Sequence, residues 1–86
     1  MVDEAKVVVY PNPAADFLAV QIPYATKQSW DVSLVDLKGE TIKTTRISEV
    51  RTIAYFDVRT VYAGTYFLKL ESGNQEVVRK VIIGRE

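Results

Sequence analysis

Over most of the chain, apolar and polar residues alternate with a period of two, the spacing at which successive side chains point to opposite faces of a β-sheet. Leu18, Val20, Ile22 and Tyr24 fall in one phase, with Ala19, Gln21 and Pro23 in the other. Ala54, Phe56 and Val58 oppose Ile53, Tyr55 and Asp57, and Tyr66, Leu68 and Leu70 oppose Thr65, Phe67 and Lys69. Trp30, Val32 and Leu34 hold one phase before Val35 and Leu37 take the other, a break that predicts a bulge or a strand buried on both faces. Such runs recur every 8 to 12 residues or so, the pattern of a sandwich or barrel. The pattern predicts strands at Lys6–Tyr10, Leu18–Tyr24, Trp30–Leu37, Thr41–Ile47, Thr52–Val58, Thr65–Glu71 and Glu76–Ile83. No run has helical periodicity over three turns, so helix content is expected to be near nil.

The turns are equally legible. Asp36-Leu37-Lys38-Gly39-Glu40 and Glu71-Ser72-Gly73-Asn74-Gln75 place a glycine where a short hairpin loop needs a positive φ. The first strand ends differently, in Tyr10-Pro11-Asn12-Pro13, which holds two of the three prolines in the chain. Pro11 and Pro13 lack backbone donors, and each biases the residue before it toward extended geometry, so the stretch terminates a strand. Asn12 as a cap and Pro13 at a first helical position predict one helical turn through Ala14, Ala15 and Asp16 before the sheet resumes at Leu18. Residues 1–5 read as a tail or linker, residues 6–83 as the domain and residues 84–86 as a second tail. There is no internal repeat or low-complexity segment.

Composition narrows the function classes. A chain of 86 residues is one domain, whose folding removes only roughly 60–65% of its surface from water. Eleven basic and eleven acidic side chains cancel, which argues against nucleic acid or an anionic membrane as partner. The absence of cysteine and histidine removes disulfides, thiolate chemistry, the usual zinc sites and the commonest general base. Ser29, Ser33, Ser48 and Ser72 therefore have no base to activate them. Asp31, Asp36 and Asp57 sit in polar or turn positions of a solvated face, and no calcium-loop spacing occurs. Five tyrosines and Trp30 could form a sugar-stacking platform, although strands use such residues mostly for packing. No segment approaches the roughly 20 apolar residues of a spanning helix. The acidic opening Met-Val-Asp-Glu-Ala-Lys is not a secretory signal, so any such signal is expected on a larger precursor. Residue chemistry alone thus leads to a small all-β binding or adaptor domain without catalytic residues, cofactor or metal.

Four features in order take the reading further: Tyr10-Pro11-Asn12-Pro13-Ala14, Val35-Asp36-Leu37-Lys38-Gly39-Glu40, Ala63-Gly64-Thr65-Tyr66-Phe67-Leu68-Lys69-Leu70, and Val78-Arg79-Lys80-Val81-Ile82-Ile83 just before the end. With them the chain resembles the type A C-terminal sorting domains of the type IX (Por) secretion system, from about Val7 to Ile83. Two departures stand out: Val61-Tyr62-Ala63 replaces a small or proline-containing segment before Gly64, and three residues trail the last strand.

The resemblance implies an all-β, immunoglobulin-like antiparallel β-sandwich of about seven strands. It implies a non-catalytic signal, covalently attached to an N-terminal cargo domain, that passes through the periplasm to the outer membrane, cell surface or exterior. The partners it implies are the outer-membrane translocon and a sortase-like protease that removes the domain and joins the cargo to surface lipopolysaccharide. The recognition motifs would be Tyr10, Pro11, Asn12, Pro13, Asp36, Gly39, Gly64, Tyr66, Arg79, Lys80, Val81, Ile82 and Ile83. Within them, Gly39 and Gly64 serve backbone geometry, Asp36 braces its turn, and Arg79 and Lys80 either orient a partner or guard an edge. A last strand at a sheet edge would offer backbone groups to a reader strand, or to a second copy as an edge-strand dimer. The alternative is an immunoglobulin- or fibronectin-like adhesive or carbohydrate-binding module, suggested by the tyrosines and Trp30.

Overall fold

Two stacked sheets bury the phases that the alternation marks as apolar. The computed structural model describes residues 2–84, with strands β1 (Val8–Tyr10), β2 (Phe17–Gln21), β3 (Trp30–Val35), β4 (Thr41–Ile47), β5 (Ile53–Asp57), β6 (Gly64–Ser72) and β7 (Gln75–Ile83). One sheet has the order β1-β2-β5 and the other β4-β3-β6-β7, with every strand pair antiparallel. Leu18, Val20 and Ile22 from one layer meet Trp30, Val32, Leu34, Leu68 and Leu70 from the other in a single core. Among the described residues no polar or charged residue is buried, so the core is built of apolar side chains.

Two features mark the sandwich as immunoglobulin-like. Trp30 lies buried on the third strand, the place of the buried tryptophan in that fold. At the start of β6 the Tyr66 hydroxyl donates to the Tyr62 carbonyl at 2.7 Å, the tyrosine corner that locks the crossing between sheets. The fourth strand departs from the constant-type order: it pairs with β3 in register Trp30↔Ile47 through Leu34↔Lys43, not with β5. The predicted phase break is a register shift between Leu34 and Val35.

Several expectations need correction. β2 ends at Gln21, and Tyr24, placed in its inward phase, is 49% exposed beyond Pro23. β3 ends at Val35, leaving Leu37 exposed in the hairpin turn. Tyr10, Tyr55 and Tyr62 are exposed too, so only Tyr66 and Trp30 of those aromatics serve the core. Lys6 belongs not to a strand but to a 3-10 turn, Glu4–Lys6, whose cap is the Asp3 carboxylate accepting from Ala5 N–H at 3.0 Å. The segment read as a tail is docked from Val2 onward. Val2 is 2% exposed, its N–H donates to Gln75 Oε1 (3.0 Å), and Gln75 Nε2 donates to its carbonyl (2.6 Å). Met1, Arg85 and Glu86, the remaining parts of the expected tails, lie outside the described residues.

Candidate recognition surface

The expected helical turn after Pro13 does not form, because the backbone there has a partner in the sheet. The Tyr10-Pro11 and Asn12-Pro13 peptide bonds are both cis. Ala14 then forms an isolated parallel bridge with Ile83. Its N–H donates to the Ile82 carbonyl at 2.8 Å, and its carbonyl accepts from Gly84 N–H at 2.9 Å. The Asn12 Oδ1 accepts from Ile82 N–H at 2.9 Å. A strand capable of going on as a helix is drawn instead onto the outer edge of β7.

This contact assembles four distant motifs into one row across an end of the four-stranded sheet. Val35 stands opposite Phe67, which leads back to Thr65 and Gly64 at the start of β6. Gly64 stands opposite Ile83 and Thr65 opposite Ile82. Asn12 and Ala14 complete the row from the other side. At its opposite end Asp36, Leu37 and Lys38 face Gly64, Thr65 and Tyr66 across a shallow groove of about 270 Å³.

The residues of the row divide between holding the backbone and facing outward. Asp36 Oδ1 accepts from the N–H groups of Lys38 and Glu40, both at 2.9 Å, so its carboxylate braces the turn. Gly39 takes φ +88° there, a conformation that strains any residue with a Cβ. Gly64 has φ +156°. Val81 and Ile83 point into the core, whereas Lys80 and Ile82 project from the outer face. Arg79 is half-buried: its Nη2 donates to the Glu4 carbonyl and its Nη1 lies 3.7 Å from the Glu4 carboxylate. Pro11, Asn12 and Pro13 are exposed around the bonds just described. Tyr10 stands apart from the row, with its hydroxyl donating to Gln21 Oε1 at 3.1 Å on the outer face of the three-stranded sheet.

Glu4 and Gln75, read from the sequence only as tail and turn, tie the rest of β7 to the N-terminal segment through Arg79 and Val2, and Ala14, read as part of a helical turn, bridges Ile83 instead. Each acts on a residue some 70 positions away, and such pairs leave no periodic signal. The bond from Asn12 supplies a test. Asn12→Ala is expected to lower global stability by only about 1 kcal/mol, while amide hydrogen exchange at Ile82 rises and that of Leu68 and Leu70 follows the global change alone.

The outer face of the other sheet carries the shortest ion pair among the described residues. Arg59 Nη2 meets Asp57 Oδ2 at 2.7 Å, and its guanidinium lies 5.2 Å over the Phe17 ring. The side-chain bond from Arg59, helped by the Arg59 N–H, holds the Asp57 carboxyl far below its usual range. For a depressed carboxyl, the stabilisation is present above the unfolded pKa and is lost as pH falls below it toward the folded value. Solvent screens this exposed pair, so the loss is small. Asp57→Asn is expected to shed less stability than the parent as pH drops below roughly 4, which thermal unfolding across an acid series measures.

Among the described residues, no three side chains of the His, Cys, Asp or Glu types come together to hold a metal ion. No described helix is long and apolar enough to cross a membrane. A family model described as the secretion system C-terminal sorting domain matches residues 8–84. No curated protein matches the chain.

Proposed function

The chain belongs to the secretion system C-terminal sorting domain family, a type IX sorting signal, and from that membership we propose that it is the non-catalytic address of a longer exported protein. In this reading a cargo domain joined at its N-terminal side crosses the periplasm and is passed by the outer-membrane translocon to the cell surface or the medium. A sortase-like protease then cleaves near the start of the domain and joins the cargo to lipopolysaccharide. The observation that carries the reading is the gathering of four separate motifs in one row beside the edge of β7. A folded signal has to be read by shape and exposed groups, and an edge strand offers both. Asn12, Asp36 and Gly39 hold the surface in shape in this account, while Lys80 and Ile82 meet the reader.

To test it, residues 7–86 are fused behind a periplasmic signal and a reporter in a bacterium with type IX machinery. The reporter is expected outside the cell, and a reporter retained in the periplasm as it is without the domain overturns the assignment. Removing residues 80–86 is expected to abolish export, and unchanged export overturns the role of β7.

A second reading, a carbohydrate-binding module, is favoured by one observation: Tyr10, Ala19 and Tyr55 stand side by side in register on the outer face of the three-stranded sheet, with both rings exposed. Saturable glycan binding lost in Tyr55→Ala supports it, and its absence removes it.

A further inference from the structure

The edge of β7 is fastened through the backbone at Ile82 and through side chains at Gln75, held to Val2, and at Arg79, held to Glu4. Ile82 sends its N–H to Asn12 and receives Ala14 at its carbonyl, so the backbone groups of Ile82 point away from β6. In an antiparallel ladder this direction alternates along a strand. Lys80, Val78 and Glu76 therefore present their N–H and C=O groups outward as well. The Val78 carbonyl accepts there from Arg79 Nη1 at 3.0 Å, a solvent-exposed bond whose guanidinium also reaches the Glu4 carbonyl and has to swing aside for a partner strand. Beyond Glu76 lies Gln75, held to Val2. Among the described residues, the stretch of this edge that no other backbone segment pairs with is thus Glu76-Val77-Val78-Arg79-Lys80.

We propose that this edge pairs with the same edge of a second copy of the chain, antiparallel about a two-fold axis at Val78. In that register Val78 faces Val78 of the partner copy, Glu76 faces its Lys80, and Lys80 faces its Glu76. Each of these residues then exchanges both outward backbone bonds with its opposite number. All three side chains share the outer face of the sheet, where they are exposed. An apolar pair is therefore flanked on both sides by opposite charges, the arrangement that stabilises cross-strand neighbours. The stretch is self-complementary by charge in this register, as an isologous contact requires. A slip of two residues one way places Lys80 opposite Val78 and brings in Ile82, already bonded to Asn12 and Ala14, and a slip the other way places Glu76 opposite Val78. Glu76 also lies 3.7 Å from Lys69, and a carboxylate has oxygens enough for both cations.

So short a pairing buries far less than the roughly 1,200 Å² of a stable interface, so association is in the range of about millimolar. Amide shifts in a two-dimensional NMR concentration series, together with sedimentation equilibrium, read it on the intact chain. The wild type is expected to show concentration-dependent shifts centred on Glu76, Val78 and Lys80. Glu76→Lys and Lys80→Glu should each weaken association about tenfold or more, because both flanking pairs become repulsive. An equimolar mixture of the two variants restores opposite charge in both pairs, and so does the double exchange E76K/K80E. Both are expected to regain dimerisation, which also proves the variants folded. No concentration dependence, or association indifferent to the reversals, overturns the proposal. Tighter association of Lys80→Glu overturns it as well, by making Lys80 a guard against pairing. The pairing is a property of the domain alone, so its failure leaves the export reading untouched, and loss of export says nothing about the dimer.

Discussion

Trp30→Ala is expected to cost about 3–5 kcal/mol of folding stability. An 86-residue domain holds roughly 4–13 kcal/mol in all, so the variant keeps a small part of its stability or unfolds at 37 °C. The indole is 2% exposed and is among the largest side chains in the core. It sits where the chain enters β3, and its Nε1 donates to Thr26 Oγ1 at 3.3 Å, which ties the loop after β2 to the core. Truncation opens a cavity that neighbours on two sheets cannot both close, because each is held in its ladder. Thermal unfolding followed by far-UV circular dichroism measures the effect. Trp30→Phe, which keeps most of the apolar volume and loses the indole donor, is expected to fall well short of that cost. Equal losses in the two variants would mean that the bond to Thr26 outweighs the volume.

The second large effect separates two neighbours in the last strand. Ile83→Ala is expected to cost about 2–5 kcal/mol, and Ile82→Ala less than about 1 kcal/mol. Ile83 is 1% exposed, opposite Gly64 and bridged to Ala14, whereas Ile82 is 40% exposed on the outer face. Urea midpoints at an unchanged slope quantify the difference. The contrast matters for export. If Ile83→Ala abolishes secretion, lost folding explains it. If Ile82→Ala does so while the domain stays folded, a contact on the outer face has been removed. Comparable stability losses in the two variants would contradict the assignment of faces.

The motifs that suggested a sorting domain turn out to mix these two kinds of residue. Val81 and Ile83 are core, Asp36 and Gly39 shape a turn, and Lys80 and Ile82 are surface. Their order along the chain identified the family without distinguishing those tasks. The family match spans residues 8–84, and Val2, Glu4 and Lys6 fall before it. Two of them, Val2 and Glu4, nevertheless fasten β7 through Gln75 and Arg79.

What was legible in the sequence is local and periodic. Leu18, Val20 and Ile22, or Tyr66, Leu68 and Leu70, share a face because alternation is a property of a strand by itself, and a core needs that face buried whatever lies opposite. The phase break at Val35 and the hairpin at Gly39 were legible for the same reason. Tyr24 and Leu37 were misplaced because alternation has no stop signal of its own, and a proline or a turn ended the strand first. Tyr10, Asn12 and Pro13 read as a strand end followed by a helical turn, since a capping asparagine before a proline is the local preference. The fold overrode that preference. Only when β7 takes the edge beside Ala14 do the N–H of Ile82 and the carboxamide of Asn12, distant in sequence, come within a hydrogen bond of each other. The pairing of β4 with β3 and the open stretch from Glu76 to Lys80 are likewise products of how the sheets close. The sequence by itself determined which residues form strands and which of their faces turn inward. Which edges meet, and which stay free to be read, only the tertiary structure decided, because a hydrogen bond between distant segments depends on where both ends are placed.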